Sequence, residues 1–176
     1  ELSGCGRGSS IGLGKFEISH TEEVPSFLPD RFEPGTPNIP GILGLHAALC
    51  DLEQTDMDKL HQHELELTQY FINGLMQMDP SESTLRAIGK HNTIERTSVV
   101  SVQTLQTDMA RVAYEMDDTY GIMTRVGLHC APSAHKTLGT YPEGTIRFSF
   151  GPENTHHEVD LALHALAEIT GSPYHL

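Results

Sequence analysis

The sequence contains no tryptophan, and its phenylalanines and tyrosines together make up only 6% of the chain. A core with so few aromatic side chains must be built mainly from Leu, Ile, Val, Met and Ala. Hydrophobic residues still account for 38% of the sequence and charged residues for 20%. This balance is typical of a globular protein and argues against intrinsic disorder. The length of 176 residues suits one domain and part of a second.

Positive charge is also scarce, with 11 basic residues against 24 acidic ones and a formal net charge of −13. Nucleic-acid binding requires cations that replace phosphate counterions, so we expect no nucleic-acid partner. The apolar runs are shorter than the roughly 20 residues that a membrane span needs. The Gly- and Ser-rich start lacks the basic and then apolar order of a signal peptide. We therefore expect a cytoplasmic protein without membrane association.

Cysteine is sparse too, with Cys5, Cys50 and Cys130 at irregular spacing. This set does not form a disulfide framework and fits a reducing compartment. The 11 histidines lack the close spacing of zinc motifs such as His-Glu-x-x-His. We therefore expect no metal site.

Two regions differ in pattern. In residues 1–37, a Gly/Ser run and four prolines predict an extended segment. From Asn38 onward, capping residues and apolar periodicity predict an α+β domain with helices packed on a mostly antiparallel sheet. The predicted elements are a helix capped by Asn38 with Pro40 in its first turn; a helix over Asp56–Met78; strands at Leu85–Gly89 and Thr97–Val102; a helix capped by Thr107 or Asp108; a strand at Ile122–Gly127; a loop; a strand at Thr145–Phe150; and a helix capped by Asn154 or Thr155, with Glu158 in a capping box and Gly171 at its end.

Cys130 is the first candidate for chemistry. It follows a predicted strand and precedes Ala131-Pro132-Ser133, which predicts a loop position. Arg125 and His129 lie close in sequence, and nearby cations favour the nucleophilic thiolate. The alternative interpretation is a small buried residue at a strand end.

Two further segments contain residue types that bind ligands. Arg147 alternates with apolar residues on a short predicted strand. Its guanidinium either faces solvent or binds a substrate carboxylate through two hydrogen bonds. Gly35 and Thr36 precede a predicted helix, where backbone N–H groups and a hydroxyl suit a phosphate. An ordinary turn into the helix is the alternative for that pair.

Together these segments resemble the C-terminal part of class V aminotransferase-fold enzymes, specifically the cysteine desulfurase and selenocysteine lyase group. The resemblance runs over essentially the whole chain in order. It implies the small C-terminal domain of a pyridoxal 5′-phosphate (PLP) fold-type I enzyme, entered through a long interdomain helix. Residues 1–37 would then belong to the cofactor-domain side and residues 38–176 would form the α+β domain. The matching motifs are Pro29-Asp30-Arg31-Phe32-Glu33-Pro34-Gly35-Thr36-Pro37-Asn38, Arg125-Val126-Gly127-Leu128-His129-Cys130-Ala131, Arg147-Phe148-Ser149, and Asn154-Thr155 with Glu158-Val159-Asp160.

The resemblance also implies roles for these residues. Cys130 would take sulfur from L-cysteine, giving alanine and an enzyme persulfide. Arg147 would bind the substrate carboxylate, with Arg125 and His129 assisting. Gly35 and Thr36 would contact the phosphate of the PLP held by the partner subunit of a homodimer. A sulfur-acceptor protein would then receive the sulfur, for example for iron–sulfur cluster assembly.

One part of the family pattern does not match. The family's PLP lysine follows a histidine upstream of the matched region, whereas Lys15 has no preceding histidine and Lys136 lies downstream of Cys130. We therefore expect this chain to be a section of a longer enzyme and to be inactive alone. Two alternatives are a non-catalytic binding or sulfur-accepting module and another class V aminotransferase. Cys130 argues against the second, because transamination needs no cysteine there.

Overall fold

The computed structural model describes residues 26–32 and 37–173. Cys5, Lys15, Gly35 and Thr36 lie outside the described residues, as does most of the segment predicted to be extended. The chain divides into two compact units, residues 1–55 and 56–176. The domain boundary predicted after residue 37 stays a prediction.

The described part of the first unit contains a three-residue 3-10 helix, Asp30–Phe32, and helix α1, Ile39–Gln54. The start of α1 confirms the prediction, because the Asn38 side chain accepts a hydrogen bond from the Gly41 N–H and Pro40 lies in the first turn. No residue of α1 is buried. Its exposed apolar side chains are Ile39, Ile42, Leu43, Leu45, Leu49 and Leu52. Periodicity therefore predicted a helix correctly, although this helix buries no apolar face.

The described part of the second unit contains four helices and four strands. The strands form one antiparallel sheet in the order β1-β2-β4-β3, which confirms the predicted α+β architecture. None of the helices that the structure describes combines the length and apolar character needed to cross a lipid bilayer. The elements are α2 (Met57–Met78), β1 (Leu85–Ile88), β2 (Val99–Thr104), α3 (Met109–Tyr120), β3 (Arg125–Gly127), α4 (Pro132–Leu138), β4 (Thr145–Ser149) and α5 (His156–Thr170).

One face of this sheet contributes buried apolar side chains to the core. Val102 and Ile146 are opposite each other on β2 and β4, and both are completely buried. The Phe71 ring on α2 lies 4.7 Å from the ring of Phe148 on β4, so α2 covers this face. Burying each such side chain stabilises the fold by about 1.5–3 kcal/mol. Because side chains alternate along a strand, the remaining positions point to the opposite, polar face of the sheet.

Helix α4 was missed in the sequence prediction, which placed an uninterrupted loop between β3 and β4. That prediction is wrong for Pro132–Leu138. Pro132 starts the helix with a suitable φ, and Gly139 ends it in the left-handed conformation at φ 71°. The seven residues of α4 are too few to show apolar periodicity, and the N-cap residue Ala131 makes no side-chain hydrogen bond that would have marked the start.

Candidate functional site

The polar face of the sheet brings two arginines together. Arg147 on β4 lies directly opposite Arg125 on β3 and, on its other side, opposite Ser101 on β2. Cβ atoms at directly opposite positions lie about 4.5–5.5 Å apart on one face, and like charges placed there repel each other. Within the described residues neither guanidinium forms an ion pair. The pair therefore favours binding of an anion.

Arg147 is not an ordinary solvated strand residue. It is half-buried, and its Nε atom is inaccessible to solvent without a hydrogen-bond partner. A buried, unpaired N–H group is costly, and it calls for an explanation such as a water molecule, an ion or a functional role. Arg125 is exposed and leaves the site accessible from the edge strand. A planar carboxylate matches the fork of hydrogen-bond donors on either guanidinium.

A buried hydrogen-bond chain fixes the loop before β4. The Arg86 guanidinium donates to Oε1 of Gln103, and Nε2 of Gln103 donates to the Gly144 carbonyl at 3.2 Å. Gly144 has a φ of +82°, and a Cβ at this position would lie 2.3 Å from the Gly127 carbonyl carbon and oxygen. Only glycine permits both features at once. The two backbones thus meet where β3 ends, shortly before the Cys130 turn.

Cys130 lies in a tight turn over Leu128–Ala131, closed by a hydrogen bond from the Ala131 N–H to the Leu128 carbonyl at 2.8 Å. The central residues His129 and Cys130 have φ values of 49° and 59°. Positive φ at both positions is typical of a type I′ turn, which normally uses Gly, Asn or Asp. Each such non-glycine residue costs about 1–2 kcal/mol, so the surrounding contacts must stabilise the turn. Cys130 is a free, exposed thiol, and its interpretation as a buried residue is therefore wrong.

His129 connects this turn to β4. Its Nε2 lies 3.1 Å from the Thr145 carbonyl oxygen and 3.2 Å from the Thr145 hydroxyl. Because the carbonyl accepts a proton from Nε2, Nδ1 is the acceptor nitrogen, and it is buried without a partner. Burial lowers the pKa of His129, and the positive charge of Arg147 lowers it further. The hydrogen bond to Thr145 raises the pKa, but this effect is smaller. His135 and Arg125 add weaker lowering effects. His129 is therefore a neutral acceptor at neutral pH.

The structure thus brings four of the predicted site residues together at one end of the polar face: Cys130, His129, Arg147 and Arg125. Sequence analysis assigned no role to Thr145 or Gln103, which support this group. The period-2 alternation along β4 places Thr145 on the same face as Arg147 and was an available signal. Gln103 had no comparable signal, because its partners are far away in the sequence. Within the described ranges, no three His, Cys, Asp or Glu side chains converge as a metal-binding group.

Comparison with known proteins identifies the family. The family model for class V aminotransferases matches residues 11–162. The chain belongs to this family. Its relatives include probable cysteine desulfurases of Pyrococcus abyssi, 35% identical over 144 residues (82% of this chain and 34% of the relative), and of Borreliella burgdorferi, 32% identical over 132 residues (75% and 30%). The family resemblance predicted from the sequence is confirmed.

Solved structures of cysteine desulfurases are also similar to this chain. The apo cysteine desulfurase of Thermococcus onnurineus matches with a TM-score of 0.70 and 33% identity, covering 81% of this chain and 34% of that enzyme. The Escherichia coli cysteine desulfurase CsdA, in an S-sulfonic acid form, matches with a TM-score of 0.61 and 26% identity, covering 80% and 32%. The chain spans about a third of the length of the relatives it matches.

The described residues do not fit PLP attachment. Lys59 lies on α2 and Lys90 in the β1–β2 connection, and each forms an ion pair with an acidic neighbour at 3.0 Å. Lys136 lies on α4, with its ammonium 5.1 Å from the centre of the Tyr141 ring. None of these three lysines is on a strand of the polar face beside Arg147. The described part of the chain therefore provides no lysine for the PLP aldehyde, and no step through PLP is assigned to it.

Proposed function

We propose that this chain is the sulfur-accepting C-terminal section of a cysteine desulfurase, in which Cys130 receives sulfur from L-cysteine as a persulfide. One observation carries the proposal. The exposed Cys130 thiol follows His129 in a turn of positive φ, and His129 binds the strand that bears Arg147. A nucleophile, a hydrogen-bond acceptor and a carboxylate-binding cation are thereby held at one end of the sheet.

The proposed transfer balances without an oxidant or a reductant. The Cys130 thiol and L-cysteine give a Cys130 persulfide and alanine. A bond forms between Cys130 Sγ and the substrate sulfur, the substrate Cβ–S bond breaks, and its electron pair ends in a C–H bond of alanine. The electron sink for this cleavage would be supplied by PLP, held by residues other than those described. The predicted contacts of Gly35 and Thr36 with PLP in a homodimer stay part of this proposal.

In this proposal, the described residues bind and orient the substrate. Arg147 and Arg125 bind the carboxylate of L-cysteine, which relieves the repulsion between the two guanidiniums. His129 assists at the same end of the sheet, where its hydrogen bond to the Thr145 carbonyl holds the Cys130 turn. Cys130, exposed on a turn, then presents the persulfide to a sulfur-acceptor protein.

The proposal is tested by measuring alanine formation from L-cysteine, with a dithiol as final sulfur acceptor. The assay uses the natural gene product with PLP added. We expect Cys130→Ser to abolish alanine formation and Cys50→Ser to leave it unchanged, because Cys50 lies on α1 and has no part in the site. Alanine formation that persists in Cys130→Ser would contradict the proposed role. If the wild-type protein forms no alanine but Cys130 accepts sulfur from another donor, the chain acts as a sulfur-accepting module.

A second test needs no cofactor and probes the carboxylate site directly. Iodoacetate and iodoacetamide alkylate thiols in the same way, but iodoacetate carries a carboxylate. An anion about 4 Å from a cation gains about 1 kcal/mol in water, roughly a fivefold rate preference. We expect Cys130 to prefer iodoacetate over iodoacetamide by about this factor relative to Cys50, and Arg147→Gln to reduce the preference. Equal ratios at the two cysteines of the wild-type protein would contradict a carboxylate site beside Cys130.

A further inference from the structure

His135 is a buried histidine that the proposed function leaves without a role. It lies in the last turn of α4, and only 6% of its surface is exposed. Its Nδ1 is 2.7 Å from Oγ1 of Thr140, so the two atoms share a hydrogen bond. Thr140 is completely buried. A polar pair this deep in a protein is costly to leave unpaired, and removing either partner exposes the other to that cost.

Thr140 connects α4 to the loop before β4. Its N–H donates to the His135 carbonyl at 2.9 Å, and its carbonyl accepts from the Gly144 N–H at 2.7 Å. Gly144 is the residue whose backbone meets the end of β3 at Gly127. Thr140 therefore joins the helix after Cys130 to the loop whose backbone meets the end of β3.

His135 also contacts the turn itself. Its ring lies 5.9 Å from the ring of His129, centre to centre, at an angle of 47°. His129 thus has the His135 ring as a neighbour and also donates the hydrogen bond from its Nε2 to the Thr145 carbonyl. Because His129 and Cys130 adopt consecutive positive φ values, a shift of the His129 ring changes the backbone that presents the thiol.

We propose that His135 and Thr140 are positioning residues that hold the Cys130 turn in its strained conformation and keep the thiol on the side of the sheet that carries Arg147. They touch neither substrate nor cofactor and act through His129 and through α4. The use of the thiol as a sulfur acceptor rests on the proposed function, whereas the stabilisation of the turn does not. The two parts of the inference are therefore measured separately.

The first measurement is amide hydrogen exchange at Ala131, whose N–H closes the turn. In the wild-type chain this proton is expected to be protected. We expect Thr140→Val, which keeps the shape but removes the hydroxyl, to accelerate its exchange roughly tenfold, as the loss of one hydrogen bond implies. Thr140→Ser restores the hydroxyl and should restore protection. Amides in the middle of α5 should exchange equally in all variants, and melting curves establish that each variant is folded.

The second measurement is the iodoacetate-to-iodoacetamide rate ratio at Cys130. His135→Leu and Thr140→Val should each lower this ratio towards that of Cys50, because the turn that carries the thiol would no longer be held on the Arg147 side of the sheet. His135→Asn keeps a nitrogen near the position of Nδ1 and should retain most of the ratio. Lys136→Gln is the matched control, since Lys136 is the exposed neighbour of His135 on the same helix. A general loss of stability does not produce this pattern, because both reagents meet the same thiol.

Unchanged Ala131 exchange in both His135→Leu and Thr140→Val would overturn the positioning role. A different outcome is that Cys130 in the wild-type protein has the same rate ratio as Cys50, while Ala131 exchange is accelerated in the variants. This outcome would overturn the carboxylate site of the proposed function but not the stabilisation of the turn by His135 and Thr140. A ratio that falls in Lys136→Gln as far as in His135→Leu would show that α4 acts by charge and would also overturn the inference.

Discussion

Replacing Gly144 by alanine tests whether the close backbone contact at the end of β3 determines the shape of the Cys130 turn. The new Cβ would lie 2.3 Å from the carbonyl carbon and oxygen of Gly127, which belong to rigid backbone. The positive φ of +82° costs an alanine about 1–2 kcal/mol. Relieving the overlap by moving one strand costs about a further 1–3 kcal/mol. We expect a total loss of about 2–5 kcal/mol in the free energy of unfolding.

The matched control is Gly121→Ala. Gly121 also has a positive φ, +68°, but an added Cβ meets nothing within 4 Å. Gly121→Ala should therefore lower the free energy of unfolding only by the cost of the positive φ, about 1–2 kcal/mol. Urea denaturation followed by circular dichroism measures both variants, and the iodoacetamide rate at Cys130 reports on the turn. The reasoning is refuted if the two variants lose the same free energy, or if Gly144→Ala leaves the Cys130 rate unchanged.

Two further predictions concern pH and stability. Burial alone would raise the pKa of Asp79, but hydrogen bonds from the Leu85 and Thr84 N–H groups and from nearby serines outweigh it and lower the pKa from 3.8 to about 2. Asp79→Asn should therefore lower the free energy of unfolding by about 2 kcal/mol at neutral pH. The difference between the wild-type protein and the variant should disappear as the pH falls from about 4 to about 2. Denaturation at each pH measures this difference. Because the pKa of His129 is lowered in the folded protein, the unfolded chain binds a proton at a higher pH than the folded protein does. The free energy of unfolding should therefore decrease as the pH falls below about 6.5, and it should level off below the folded-state pKa. His129→Gln should remove this part of the profile, and an unchanged slope in that variant would count against the assignment.

Local signals predicted the helix ends well. Asn38 caps α1, and Thr155 and Glu158 form the predicted capping box at the start of α5. Asp108, one of two predicted candidates, caps α3. Capping depends on residues three or four positions apart, so the sequence contains the information directly. The strand ends differ from prediction by up to three residues, because they are set by pairing with strands elsewhere in the chain.

The candidate site was predictable as a set of residues and not as an arrangement. Arg147 and Cys130 were recognised through the family resemblance, whereas the position of Arg125 opposite Arg147 follows from a strand register that no local pattern determines. The hydrogen bond from His129 to Thr145 spans 16 residues of sequence and depends on the same register. The hydrogen bond between His135 and Thr140 escaped prediction for a related reason, since the short helix α4, which contains His135, was not recognised.

The central claim is that Cys130 accepts sulfur from L-cysteine. It is tested most directly by mass spectrometry of the protein after incubation with L-cysteine and PLP, followed by alkylation and digestion. We expect one additional sulfur atom on the peptide that contains Cys130, none on the peptide that contains Cys50, and loss of that sulfur on treatment with a thiol reductant. Formation of alanine while Cys130 gains no sulfur would contradict the claim.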